Sequence, residues 1–332
     1  MNIPFEMQDA IEKLLEERSI SKIRDCVSSV CERYNNDSGR GKVLVKNEEE
    51  AVSYAISRMP GTFGAVKTAV RAFKEETEEA LEDGSLEIKS LADIGAGTGA
   101  AVWAAASEFD FDRITCFERE SSMIATGKHM LAFGEDVMKN AAWIQGDAVK
   151  GKDGGSKADL VTASYIMNEL RPEDREGFLK MLWETADKAV ILLEHGTKVG
   201  FQNVLYARDF FTKNGASVVA PCTFSDGCPL PADDWCHFTC RMQRSKVQKF
   251  VKGGDAPYED EKFSYIAVLK TPLGEGRNES DRKARIIRHP ITNKGCVEFK
   301  LCSKRGIENA KVTSRDKEQF KAARKAEWGD KW

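Results

Sequence analysis

No run of eighteen apolar residues occurs in this 332-residue chain. A helix that spans a bilayer needs roughly twenty, so no membrane span is expected. The opening segment, 1-MNIPFEMQDAIEKLLEE-17, is acidic and has no apolar core, which argues against a cleaved secretory leader. The one glycine-rich turn is not followed by Gly-Lys-Ser/Thr, which excludes a Walker A phosphate loop. The C-x2-C spacing of zinc fingers and ferredoxins is missing. Histidine is sparse at four residues, and His129 and His289 carry no specific signal.

The composition is that of a soluble globular protein, 41% hydrophobic and 31% charged. The length allows one large core or two domains. Nine cysteines is an odd number. Four of them crowd into 222-CTFSDGCPLPADDWCHFTC-240, which favours a reducing compartment and a metal site over a disulfide framework. Net charge is only -3, but residues 277–332 hold sixteen Lys/Arg against eight Asp/Glu, leaving 34 basic and 45 acidic residues elsewhere. A basic tail on an acidic body suits an anionic partner such as RNA, or a solvated face.

Residues 1–84 read as a helical region, with helix over 6–34 and over 48–84, the latter interrupted at Pro60-Gly61. From about residue 85 the pattern becomes strand–helix alternation. Strands are expected at Leu91–Ile94, Ile114–Phe117, Ala142–Ile144, Leu160–Ala163 and 189–194, with helix at 172–188 and near Val204–Thr212. This is the signature of an α/β fold with a parallel sheet and helices on both faces. Segments 216–220 and 263–270 are expected to pair antiparallel at the sheet edge, which makes 221–262 a cysteine-rich insertion in a domain spanning 85–271. A polar linker at 272–284 leads into a basic extension, 272–332, holding a small β unit at 285–301 and 306–313 and a basic helix at 316–328.

The turn 93-DIGAGTG-99 joins strand to helix, and its glycines permit a tight turn and close ligand approach. Its spacing is not the dinucleotide form. It resembles the loop of class I methyltransferases, which hold S-adenosylmethionine across the strand ends. Asp93, Gly95, Gly97 and Gly99 are the loop candidates. Glu118 ends the second strand, where a carboxylate can accept from both ribose hydroxyls. Asp147 is placed to contact the adenine amine, and Ser164 and Tyr165 lie beside the methionine end. The segment 164-SYIMNEL-170 lacks the Asn/Asp-Pro-Pro-Tyr pattern of base-amine methyltransferases, and no catalytic residue is assigned.

The spacings C-x5-C, C-x7-C and C-x3-C match no standard finger, yet clustered thiols select an iron–sulfur cluster or zinc. In 297-VEFKLC-302, strand alternation puts 298, 300 and 302 on one face. By spacing alone, Cys240 and Cys302 compete as fourth ligand beside Cys222, Cys228 and Cys236. Cys26, Cys31 and Cys116 read as ordinary buried thiols. The run 241–252 is basic and free of acids. Arg241, Arg244, Lys246 and Lys249 are RNA-binding candidates, with Arg241 and Arg244 expected on one helix face.

The segments 59-MPGTFGAV-66, 93-DIGAGTG-99, 164-SYIMNEL-170, 221-PCTFSDGCPL-230, 234-DWCHFTCRMQRS-245, 258-YEDEKFSYIAV-268 and 324-RKAEWGDKW-332, in this order, resemble the Rsm22 family. The resemblance covers roughly residues 50–332. It implies a class I S-adenosylmethionine-dependent methyltransferase (Rossmann-like) fold. It also implies association with the small ribosomal subunit, or an assembly intermediate, and its rRNA. A [4Fe-4S] cluster is implied on Cys222, Cys228, Cys236 and Cys302, with zinc as the alternative metal. Cys240 falls where the family commonly has another residue. Two departures are Thr223-Phe224 in place of Pro-His and Glu194-His195-Gly196 in place of Glu-Pro-Gly. The expected function is a methyltransferase-like factor in small-subunit assembly or translation, cytoplasmic given the start of the chain. The alternatives are an active rRNA methyltransferase, or one acting on a protein or small molecule.

Overall fold

The computed structural model describes residues 1–16, 18–37, 42–148, 157–272 and 282–332. Most of the expected linker, residues 273–281, lies outside the described residues. Four helices open the chain: α1 (Phe5–Leu15), α2 (Ile20–Asp37), α3 (Glu48–Ser57) and α4 (Met59–Glu82). The single helix expected over 6–34 is therefore two. Ser19 begins the second, its carbonyl accepting from Ile23 N at 3.1 Å, as suits a helix-starting serine. The break expected at Pro60-Gly61 falls instead at Arg58. Pro60 sits in the first turn of α4, where no helical N–H partner is lost.

Strands and helices then alternate. The strands are β1 (Ser90–Ile94), β2 (Arg113–Glu118), β3 (Ala142–Gln145), β4 (Ala158–Ser164), β5 (Ala186–His195) and β6 (Ser217–Ala220). Between them run α5 (Ala100–Ala106), α6 (Ser121–Leu131), α7 (Asp136–Lys139), α8 (Arg175–Thr185) and α9 (Lys198–Lys213). The helix expected at 172–188 is shorter, because Ala186 already pairs with Ala158 as strand. The insertion adds β7 (Phe238–Gln243) and α10 (Lys246–Lys252), and the sheet closes with β8 (Tyr258–Leu269).

The strand order is β3-β2-β1-β4-β5-β8-β6. β1 to β5 are mutually parallel. β8 is antiparallel to both β5 and β6, with Val268 opposite Val190 and Val218. The antiparallel pairing of 216–220 with 263–270 is thus observed. A parallel sheet ended by one antiparallel strand wedged between the last two is the class I methyltransferase arrangement. Both faces of the sheet are buried, as parallel sheets require. Along β5, Ala189, Ile191 and Leu193 face the core under α4, and Val190 and Leu192 face the core under α8 and α9. The first half of β8 pairs with β7, from Phe238↔Phe263 to Gln243↔Tyr258.

The C-terminal region forms a second sheet of β9 (Arg285–Ile286), β10 (Ile291–Asn293), β11 (Cys296–Ser303) and β12 (Gly306–Thr313), followed by α11 (Lys317–Ala323). α11 is shorter than the helix expected over 316–328. Val297, Phe299 and Leu301 form the small core on one face of β11. Its other face turns to the insertion, where Lys300 Nζ donates to Asp234 Oδ2 at 2.8 Å. Among the described residues, no helix is long and apolar enough to cross a membrane.

Candidate functional site

A crevice opens at the carboxyl ends of β1, β2 and β4, the usual ligand position in an open α/β sheet. Gly95, Gly97, Glu118, Asp147, Ser164 and Tyr165 all line it. Gly95 has φ 72°, and a side-chain carbon there would meet Ile166 Cδ1 at 2.2 Å. The loop is pinned to the end of β2: Gly95 N and Ala96 N donate to Phe117 O at 2.8 and 3.0 Å. Glu118 accepts from three amides, Gly97 N on Oε2 at 2.8 Å and Arg119 N and Glu120 N on Oε1 at 2.8 and 2.9 Å. Burial raises its pKa and these amides oppose the rise. Gly99 does not line the crevice. It starts α5 with φ 87° against Leu131, so its role is in the turn.

Asp93 lies one layer behind. Thr162 Oγ1 donates to its Oδ1 at 2.7 Å. Its Oδ2, Thr98 Oγ1 and Ser164 Oγ are buried without a hydrogen-bond partner among the described residues. All three residues line a small cavity continuous with Gly95 and Gly97. Buried polar atoms are nearly always satisfied, so this cavity suits water or a ligand's polar group. Burial pushes the Asp93 carboxyl up to about 7.

Tyr165 is the only non-glycine described residue with positive φ, 65°. Its hydroxyl donates to Glu261 Oε1 at 3.1 Å, and its ring stacks on His195 at 4.4 Å. The His195 pKa falls to about 4, first through burial and then through Arg58. The N-terminal helices contribute Tyr34 and Tyr54 to the crevice wall, along with Leu44, Val45 and, from beyond β4, Glu169. Burial, then Glu118, raises Glu169 to about 7. Neither tyrosine carries a local motif, because helix-to-crevice contacts are tertiary.

Cys222, Cys228, Cys236 and Cys302 line one further cavity, together with Phe201, Val204, Arg208 and Ile287. Cys240 is elsewhere, on β7, with its Sγ 3.6 Å from Met242 Sδ and packed over Gly64. Burial, then the neighbouring thiols, holds Cys236 well above the usual thiol range and pushes Cys302 up to about 12. Among the described residues, no group of three or more His, Cys, Asp or Glu side chains is set to hold a metal ion as it stands. A single zinc ion needs its thiolates about 2.3 Å from one point. A four-iron cluster takes each thiolate on a separate iron. Four thiols lining one cavity are a donor set that either group can take. Arg208 was missed in the sequence, where its signal is an arginine in the apolar α9 stripe of Phe201, Val204, Ala207 and Phe211.

The expected helix face of Arg241 and Arg244 does not exist. Arg241 lies on β7 and pairs with Asp260 through Nε and Nη2 at 2.7 and 2.8 Å. Arg244 follows the strand, 3.3 Å from Glu259 Oε2. The helix begins only after Ser245, which forms a capping box with Gln248. Lys246 and Lys249 do line an open groove, with Arg24 of α2 and Phe250. Phe250 is 47% exposed, and the Arg24 guanidinium lies 5.8 Å from its ring centroid.

Comparison with known proteins gives the following. The human protein named "Ribosome assembly protein METTL17, mitochondrial" is 24% identical over 339 residues, covering 96% of this chain and 70% of that protein. Among solved structures, magnesium protoporphyrin IX methyltransferase from Synechocystis is 13% identical with a TM-score of 0.42, covering 76% of this chain and 99% of that one. Precorrin-6y C5,15-methyltransferase from Geobacter metallireducens is 16% identical with a TM-score of 0.37, covering 57% of this chain and 84% of that one. The family model described as "Mitochondrial small ribosomal subunit Rsm22" matches residues 48–332, and by that match, which takes in the glycine turn, the thiol cavity and the C-terminal sheet together, the chain belongs to the Rsm22 family.

Proposed function

We propose that this protein is a small-ribosomal-subunit assembly factor that binds S-adenosylmethionine in the crevice and carries an iron–sulfur cluster on Cys222, Cys228, Cys236 and Cys302. The crevice carries the cofactor reading: a glycine turn and a buried carboxylate at adjacent strand ends, with orphaned polar atoms in the cavity behind. Glu118 takes the ribose hydroxyls and Asp147 the adenine amine. Ser164, Tyr165 and the polar cavity beside Asp93 take the methionine end. When bound, the cofactor supplies a sulfonium methyl group. The protein's own contribution is to orient it, and the Tyr165–Glu261 hydrogen bond fixes the wall at that end.

Family membership and the human relative's name support the assembly role. Lys246 and Lys249, extended by Arg24 and Phe250, are the RNA-facing candidates, because cations beside an exposed ring suit phosphates and a stacked base. Arg241 and Arg244 are spent on acidic partners. Two measurements test the proposal: calorimetric titration with S-adenosylmethionine, and mass spectrometry of rRNA methyl groups in a deletion strain. Binding with an unchanged methylation pattern is expected. Absence of binding overturns the cofactor reading. A methyl group restored by the wild-type gene but not by a crevice variant would establish the protein as an rRNA methyltransferase instead.

A further inference from the structure

Among the described residues Arg208 lines the thiol cavity, and Arg285 and Arg288 lie near its cysteines; the three differ in one respect. Arg285 is paired with Glu76 at 2.7 Å. Arg288 is paired with Asp234. Arg208 is 2% exposed, and among the described residues its one carboxylate neighbour is the exposed Asp209, at 3.9 Å. Its Nη2 donates to the carbonyls of Phe224 and Asp226, inside the loop between Cys222 and Cys228. Its Nε is buried with no partner among the described residues, and the side chain lines the cavity. A buried charge without a counter-charge is costly by several kcal/mol. Carbonyl dipoles meet part of that cost, and what remains calls for an anion.

We propose that Arg208 is the counter-charge of the thiol site, a positioning residue that offsets thiolate charge while tying the Cys222–Cys228 loop to α9. The inference rests on the reading that the four thiols hold an iron–sulfur cluster. A four-iron core of charge 2+ on four thiolates has a net charge of about −2, and net charge is one of the quantities that set a cluster's potential. A fixed cation beside it favours the reduced, more negative form. It also holds the loop that carries two of the four ligands. Residues that support metal ligands in this way are typically worth roughly 10–100-fold in affinity.

The test compares wild type, Arg208→Gln and Arg208→Lys, all purified without oxygen. The readouts are iron and sulfide content, midpoint potential by redox titration, and the rate of iron loss to a chelator. Glutamine keeps a donor for the loop carbonyls but removes the charge; lysine keeps the charge. Arg208→Gln is expected to shift the potential to more negative values and to release iron roughly tenfold faster, with Arg208→Lys close to wild type in potential. Failure of Arg208→Gln to load, with Arg208→Lys loading, also supports the proposal. An Arg208→Gln cluster with unchanged potential and release rate overturns it. So does equal failure of both variants, which would leave only the carbonyl clamp. Wild type lacking both iron and sulfide overturns the cluster reading itself, and this inference with it.

Discussion

Arg285 and Glu76 form an ion pair at 2.7 Å across 209 residues of sequence. The same guanidinium donates to Pro221 O at 3.0 Å and to Gly329 O at 2.8 Å. One buried side chain on β9 thus joins α4 of the N-terminal layer, the residue before Cys222 and the end of the chain. Cys302 lies next to it in the sheet, opposite Arg285 in the β9–β11 register. The C-terminal sheet is therefore held to the methyltransferase-like domain beside the cavity that the four thiols line.

Glu76→Ala should loosen that junction. Arg285 keeps only 5% side-chain exposure, so removing its partner leaves a buried charge and should cost on the order of 3 kcal/mol. Urea unfolding measures the loss, and limited proteolysis should cut first in the C-terminal sheet. Unchanged stability would mean that the carbonyls of Pro221 and Gly329 satisfy Arg285 without Glu76.

Cys302→Ser and Cys240→Ser should behave differently. The first removes a thiol from the cavity and is expected to abolish iron binding. The second places a hydroxyl in the apolar packing of Cys240 against Met242 and Gly64. It should lower stability by about 1–3 kcal/mol with iron content unchanged. Iron assay and thermal melting of the two variants check this, and iron loss on Cys240→Ser would transfer the fourth ligand to that residue.

Glu118→Gln should weaken S-adenosylmethionine binding. An amide nitrogen replaces one oxygen among three backbone N–H donors, so one donor faces another. Hydrogen bonds to a charged acceptor are worth about 1.5–3 kcal/mol, which corresponds to a roughly 10–150-fold rise in Kd by calorimetry.

Asp93 predicts a pH dependence. Its folded pKa of about 7 stands above the ordinary value of about 3.9. The folded state therefore binds the proton more tightly. The stabilisation this gives is complete below about pH 4 and lost as pH rises to about 7. Asp93→Asn keeps the acceptor for Thr162 and removes the titration. Relative to wild type, the variant should gain stability between pH 4 and 8, with a ceiling on the order of 4 kcal/mol. Glu169 and Glu194, raised to about 7 and about 8, and His195, lowered to about 4, contribute equally to both proteins and cancel in the difference. A pH-independent difference in melting temperature would show that Asp93 is ionised in the fold.

The strand–helix alternation was readable because apolar runs such as 189–194 are buried on both faces and need no partner to be recognised. The glycine turn and Glu118 were readable for a similar reason, since both sit at the ends of such strands. The strand at Phe238–Gln243 was not, because its conformation is set by pairing with Tyr258–Phe263 rather than by local pattern. Reading it as helix put Arg241 and Arg244 on a face that does not exist. Tyr34 and Tyr54 went unnoticed because a helix shows its own apolar stripe but not what it covers. Local spacing left Cys240 and Cys302 level. The alternation along β11 separates them, turning Cys302 toward the insertion while Val297, Phe299 and Leu301 turn away.

The most direct measurement is the iron and acid-labile sulfide content of the wild-type protein purified without oxygen. About four of each per chain is expected, since one cubane on four thiolates would close the C-terminal sheet onto the crevice domain. Stoichiometric zinc without sulfide would contradict this.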